Sequence, residues 1–335
     1  MGFTPPYEKE RQRSGGKTKT DNPNGSASIA VLSLPELKSE ELPERTRLCS
    51  DWMRKGDLGY IFGQRGSGKT WFTNLLLAGL ANGRKLQDWE VPQVTKCLYV
   101  DGEMPARDSR DRLVALAGDS DNVAVLNHEI LFARTGLTMN LADPEWQEEI
   151  TNLCLAEKFE VLVLDNRSTL CLGLLENDND DWDKMQSWLL QLRRQGIAVI
   201  IIHHAGAVGD RMRGGTRPED SAFWVIKVER VADANRQPGE QGAKFRTLFT
   251  KNRNSQRMEF PKEWHIVTGA DGQISIGCKS MSFDEMVLQL IRDGLTSATD
   301  IATELRVDKS TVSRSAKRLI NDGYVKVVKR GYEAV

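Results

Sequence analysis

The run Gly63-Gln64-Arg65-Gly66-Ser67-Gly68-Lys69-Thr70 has the form Gly-x-x-x-x-Gly-Lys-Thr, and it stands between a strand-like stretch, Leu58–Phe62, and a helix-like one, Trp71–Leu80. This order confines the chain locally to a strand, a tight loop and a helix whose first N–H groups face outward together. Such a loop turns consecutive backbone N–H groups toward one anion, and the helix aims the positive end of its dipole at the same point. Glycines at 63, 66 and 68 permit the turn, Lys69 is placed to reach β- and γ-phosphates, and the Thr70 hydroxyl to ligate Mg²⁺. ATP with Mg²⁺ is therefore the expected ligand, contacted between Gly63 and Trp71. A Gly-rich linker with no ligand would not need this spacing.

The remaining composition sets bounds. A chain of 335 residues has room for about two domains, and 39% hydrophobic residues suffice for a sizeable core. No run of about 18 apolar residues occurs, and residues near the start form no continuous apolar segment, so the expectation is a cytoplasmic protein without membrane insertion or secretion. Cys49, Cys97, Cys154, Cys171 and Cys278 are scattered and lack Cys-x-x-Cys spacing, which reads as reduced thiols. Residues 1–28 hold Pro5-Pro6, Gly15-Gly16 and many charges with almost no aliphatic side chains, the composition of a disordered basic tail. That tail either solubilises the chain or touches nucleic acid through Lys9, Arg11, Arg13, Lys17 and Lys19.

From 29 to 278 short apolar runs alternate with longer amphipathic ones, the pattern of parallel strands joined by crossover helices. Leu58–Phe62, Lys96–Val100, Glu160–Leu164 and Ile197–Ile202 read as buried strands. Phe223–Val228 and Phe245–Thr250 extend the sheet, and Trp264–Val267 with Gln273–Ile276 read as a closing hairpin around Gly269–Gly272. Residues 281–335 change character. Three amphipathic helices, Phe283–Ile291, Ala298–Leu305 and Lys309–Ile320, precede the strand Tyr324–Val328 and a turn at Gly331, together a winged helix-turn-helix. Between Arg306 and Arg330 eight basic residues face only Asp308 and Asp322. Lys309, Ser310, Thr311, Ser313, Arg314 and Lys317 on the third helix are candidates for base edges of duplex DNA. Lys326, Lys329 and Arg330 on the wing are candidates for its phosphates. A winged helix that docks protein is the alternative.

The acids at the strand ends complete a catalytic set. Lys96–Val100 runs into Asp101-Gly102-Glu103 and Glu160–Leu164 into Asp165, and ligands in open parallel sheets sit at the carboxyl ends of strands. Asp165 is expected in the Mg²⁺ shell and Glu103 to orient or deprotonate an attacking water. His203 and His204 end the next strand, where one can sense the γ-phosphate. Neighbouring residues on a strand point to opposite faces, which argues against a shared metal. The following stretch, Ala205–Arg217, has four glycines and three arginines, Arg211, Arg213 and Arg217, which suit single-stranded DNA. Lys251 and Arg253 lie on one side of an extended segment, positioned either as cations for a neighbouring subunit's nucleotide or as an ordinary polar loop.

In order along the chain, the phosphate loop, Asp-Gly-Glu at 101–103, Leu-Val-Leu-Asp at 162–165, Ile-Ile-Ile-His-His-Ala-Gly at 200–206, Arg-Gly-Gly-Thr-Arg-Pro-Glu-Asp at 213–220 and Lys-Asn-Arg at 251–253 resemble RepA-type plasmid helicases. The resemblance covers roughly 29–278 and implies a RecA-like ATPase domain: α/β, a mainly parallel sheet with flanking helices. It implies a homo-oligomeric ring, commonly a hexamer, with ATP between subunits and single-stranded DNA through the centre. It assigns Lys69 and Thr70 to phosphate and Mg²⁺, Glu103 to catalysis, Asp165 to the metal side, His203 or His204 to sensing, and Arg253 to a finger donated in trans. The function expected is a DNA-dependent ATPase of a mobile element, a helicase or remodeller recruited by its winged helix. An ATP-controlled DNA-binding regulator and a recombination or assembly factor without helicase activity are the alternatives.

Overall fold

The computed structural model describes residues 30–173, 179–206, 212, 217–233, 241–255, 259–269, 273–305, 307–329 and 331–335, without the side chains of 179–184 and 217–218. The tail 1–28, the hairpin tip at 270–272, Arg211, Arg213 and Arg330 lie outside the described residues. Residues up to Glu44 form one unit and Arg45–Val335 a second. The described part of the first unit holds a short helix α1 (Leu34–Ser39), started by a reciprocal Ser33–Glu36 capping box and burying none of its side chains.

In the second unit β1 (Arg47–Cys49) and β2 (Met53–Arg54) form a small antiparallel pair, and a nine-stranded sheet follows. Strands β3 (Leu58–Gly63), β4 (Cys97–Asp101), β5 (Val123–Asn127), β6 (Val161–Asp165), β7 (Ala198–His204) and β8 (Trp224–Arg230) run parallel in the order β8-β3-β7-β6-β4-β5. Beyond β8, the strands β9 (Gln241–Asn252), β10 (Lys262–Thr268) and β11 (Ile274–Ser280) continue the sheet antiparallel. This is the mostly parallel, helix-flanked RecA-like sheet expected from the alternating pattern.

Every residue of β3, β4 and β6 is buried, which is why these strands read as unbroken apolar runs. Alternate side chains serve different layers. Val161, Val163, Ile200 and Ile202 pack with α2 (Lys69–Asn82) and α3 (Ala106–Ala117). Leu162, Leu164, Val199 and Ile201 pack with α5 (Pro144–Ala156) and α7 (Asn179–Arg194) on the other face. Each such side chain contributes about 1.5–3 kcal/mol on burial, so the two layers lock the strand register. β5 leads into α4 (His128–Thr135), and β6 leads into the single turn α6 (Arg167–Leu170).

The C-terminal region has its own apolar cluster, in which Val287, Ile291, Ile301, Val312, Leu319 and Val325 meet. They come from α9 (Phe283–Arg292), α10 (Ala298–Leu305), α11 (Lys309–Asn321) and the wing, β12 (Val325–Val328) paired antiparallel with β13 (Gly331–Ala334). Gly331 does more than turn the chain. Its φ is +133°, and a Cβ there would sit 2.1 Å from the Thr296 carbonyl oxygen, which accepts the Tyr332 N–H. Among the described residues no helix is long and apolar enough to cross a membrane. The five cysteines are unpaired, four of them buried.

Candidate functional site

The strand β3 delivers the phosphate loop to the carboxyl edge of the sheet. Close packing explains two of its glycines: a Cβ on Gly63 would lie 2.2 Å from the Val228 carbonyl oxygen, and one on Gly68 2.6 Å from the Phe245 ring. Gly68, at φ +100°, is also the N-cap of α2 and has no side chain to cap it. Phe72 is the first residue whose N–H reaches back, to the Gly68 carbonyl at 2.9 Å. The N–H groups of Lys69, Thr70 and Trp71 are thus left without a capping side chain, at the positive end of a 14-residue helix. Lys69 is 7% exposed and donates to the carbonyls of Gly63 (3.0 Å) and Gln64 (2.9 Å). Burial pulls its pKa down, opposed by Asp165 and Glu103. Gln64, Arg65 and Gly66 are exposed and Ser67 is buried. The Trp71 ring turns away into the core beneath the Arg112 guanidinium, 5.0 Å from it, so only its backbone faces an anion.

Strands β4 and β6 end level, with Asp101 opposite Asp165. Asp165 Oδ2 accepts from the Tyr99 hydroxyl at 2.6 Å and from Thr70 at 3.4 Å, while its buried Oδ1 has no hydrogen-bond partner among the described residues. Burial lifts the Asp165 pKa to about 7; the Tyr99 hydrogen bond opposes this, and the charges of Asp101 and Glu103 add to it. A dry acid with a spare oxygen beside a hydroxyl and an uncapped helix start suits a hard cation with a polyphosphate. The residues present therefore fit Mg²⁺ and a nucleoside triphosphate.

The Glu103 turn is held from several directions. Asp101 Oδ1 accepts the N–H groups of Glu103 (3.1 Å) and Met104 (2.9 Å), Asn127 Nδ2 donates to Met104 O at 2.9 Å, and the Gly102 N–H reaches Asp165 O at 2.7 Å. The Glu103 carboxylate accepts from Asn166 Nδ2, and the same amide nitrogen is 3.4 Å from His204 Nε2. The histidine pair divides as strand geometry requires: His203 is wholly buried, while His204 reaches the Asn166–Glu103 pair. Asn166 escaped the sequence reading. Its signal was local, since it follows the strand-end acid directly and opens α6 with an Asn166–Thr169 capping box.

Lys251 and Arg253 are not brought to this cluster. Asn252 pairs with Trp224, and Trp224 with Gly59, at the amino edge of β3. Gly63 lies four residue steps further along β3, about 13 Å. Arg253 is exposed there. The Lys251 ammonium is engaged within its own chain by the carbonyls of Glu219 and of Asp220 (3.3 Å), on the short helix α8 (Arg217–Ser221). Burial lowers its pKa, and Arg253 adds to the shift. Of the arginines proposed for single-stranded DNA, only the backbone of Arg217 is described.

On α11, Lys309, Ser310, Arg314 and Lys317 are exposed and Thr311 and Ser313 half-buried, while Val312, Ser315, Ala316 and Leu319 turn inward. Lys326 and Lys329 are exposed on the wing, with Lys326 paired to Glu333 at 2.8 Å. Arg318 does not join this face. Its guanidinium forks onto Asp284 at 2.5 and 2.7 Å, and Ser315 donates to the same carboxylate at 2.6 Å.

Fold and site together define a P-loop ATPase of RecA-like architecture that carries a winged-helix DNA-binding domain. A family model described as an AAA domain matches residues 29–210, more than half the chain, and the protein belongs to that family. A second, described as the MarR family, matches residues 286–331. Among solved structures, a KaiC-like protein from the hyperthermophilic archaeon Pyrococcus horikoshii OT3 is 18% identical over 67% of this chain and 91% of its own, with a TM-score of 0.46. The flagellar accessory protein FlaH from Methanocaldococcus jannaschii is 14% identical over 68% and 91%, with a TM-score of 0.44. No curated protein sequence matches the chain.

Proposed function

We propose that this protein is a DNA-dependent ATPase of a mobile element, a cytoplasmic ring-forming helicase of the RepA type, commonly hexameric, that its winged helix recruits to a duplex site. The observation that carries the reading is the linked set Lys69, Thr70, Asp165, Glu103, Asn166 and His204, which joins the phosphate loop to the start of the arginine-rich segment 205–217. Lys69 and the backbone from Gly63 to Trp71 would hold the phosphates, and Thr70 and Asp165 would hold Mg²⁺. The cation would neutralise phosphate charge. Glu103 would orient and deprotonate water, and Asn166 holds it until then. His204, the sensor, would report phosphate occupancy to the segment carrying Arg211, Arg213 and Arg217. Arg253, remote from its own phosphate loop, would serve a neighbouring subunit's nucleotide.

The test is ATP turnover with and without single-stranded DNA, beside a strand-separation assay on a forked duplex. Expected are stimulation by single strands, ATP-dependent separation, and loss of both in Lys69→Ala. ATP turnover without separation in any fork geometry would instead favour an ATP-controlled regulator.

A further inference from the structure

The turn that presents Arg253 is built as a rigid mount. Asn252 Oδ1 accepts the N–H groups of Asn254 and Ser255, each at 3.2 Å, so the chain reverses at once after β9. The Arg253 N–H donates to Phe223 O at 2.7 Å. Asn254 Nδ2 donates to Asp57 Oδ2 at 2.6 Å and to Trp52 O at 2.9 Å. Arg45 closes the ring, with Nη1 2.5 Å from Asp57 Oδ1 and Nη2 2.8 Å from Asn254 Oδ1. The Asp57 side chain is wholly buried and also accepts the Arg54 N–H at 2.8 Å. Phe223, whose carbonyl holds Arg253, is itself clamped between the Arg45 and Arg193 guanidiniums, 4.5 and 4.6 Å from its ring.

The side chains of Asn254, Asp57 and Arg45 brace one another and the backbone of the turn, while the Arg253 side chain between these anchors is exposed and has no hydrogen-bond or ion-pair partner among the described residues. A long cation on an immobilised backbone loses little further entropy when it meets an anion, and misplacing such a group by an ångström costs about 10² in rate. We propose that Asn254, Asp57 and Arg45 are positioning residues that hold Arg253 toward a polyphosphate bound by a second copy of this chain. The proposal rests on the trans role of Arg253 and adds the residues that set its geometry.

Subunit mixing tests it. Asn254→Ala should keep the assembly mass and the ATP affinity of the wild type within about twofold, yet lose about 10² in turnover. Mixed with Lys69→Ala, which has an intact mount and a dead phosphate loop, it should regain turnover. Mixed with Arg253→Ala, it should regain none, because both carry the same defect. Arg45→Lys keeps a charge beside Asp57 but loses the fork to Asn254, and should show a smaller fall with the same mixing pattern even if Asn254→Ala folds poorly. Wild-type turnover in Asn254→Ala and Arg45→Lys, or rescue of Asn254→Ala by Arg253→Ala, overturns the positioning role while leaving the trans finger intact. Absence of rescue between Arg253→Ala and Lys69→Ala overturns the trans reading and this proposal with it.

Discussion

Asp165→Asn should make the ligand-free protein more stable at neutral pH, and the gain should grow with pH. The acid's pKa rises from 3.8 to about 7 in the folded chain, chiefly because burial disfavours its charge. Below the lower value both folded and unfolded chains carry the proton, and the site costs nothing. Between the two values the unfolded chain ionises while the folded chain stays protonated, so stability falls as pH rises and the fall is complete above about 7. Roughly three pKa units at about 1.4 kcal/mol each give a full penalty of about 4 kcal/mol. Asp165 is 1% exposed, so solvent screening does not reduce it appreciably.

Asparagine has the same shape, still accepts the Tyr99 hydroxyl and does not titrate. Urea unfolding of both proteins without nucleotide or Mg²⁺ should therefore show the stability difference shifting toward the variant by about 3 kcal/mol between pH 5 and pH 8. Mg²⁺ with a non-hydrolysable nucleotide should stabilise the wild type more than the variant, which keeps the phosphate grip of Lys69 and the loop but loses a metal-side carboxylate. A difference that stays constant across this pH range would refute the argument that burial strains the Asp165 charge.

Two further outcomes follow from the site. Glu103→Gln should bind ATP normally and turn over slower by about 10² or more, since an amide cannot accept the proton; wild-type turnover in a rapid-quench assay would remove Glu103 from the chemistry. Deleting residues 281–335 should abolish sequence-selective duplex binding and spare stimulation by single strands, with Arg213→Ala doing the reverse. Loss of both activities from a deletion that remains folded would refute that division.

The central strands were legible because burial on both faces leaves apolar runs that need no context. β5 was missed for the complementary reason. Lying at the sheet edge with Val123, Ala124 and Leu126 only half-buried and Val125 exposed, β5 offers an apolar run of only four residues, Val123–Leu126, too short for periodicity to tell strand from helix. The acids at 101, 103 and 165 could be placed from their strand ends alone. Asn166 follows Asp165 directly, but its link to Glu103 and His204 was not legible, because it depends on the spatial order β7-β6-β4, which interleaves strands far apart in sequence. Lys251 and Arg253 show the same limit. Their spacing suggests two cations on one side of an extended segment, but β9 ends at Asn252 between them, and the carbonyl partners of Lys251 lie about 30 residues away on a different element.

Those carbonyls give Lys251 a role to be tested against direct contact with nucleotide. His204 ends β7 at the carboxyl edge of the sheet, and α8 with Phe223 precedes β8 at the amino edge. Lys251 ties α8 to the end of β9, next to the turn that carries Arg253. If the tie transmits DNA occupancy, Lys251→Ala should retain basal ATP turnover and lose stimulation by single-stranded DNA. Its stability cost should be small, about 1 kcal/mol, because the freed carbonyls are partly open to water. If Lys251 instead binds a neighbour's phosphate, basal turnover should collapse and mixing with Lys69→Ala should restore it. Measuring turnover with and without DNA, alone and in mixtures, separates the two, and basal collapse with rescue would refute the tie.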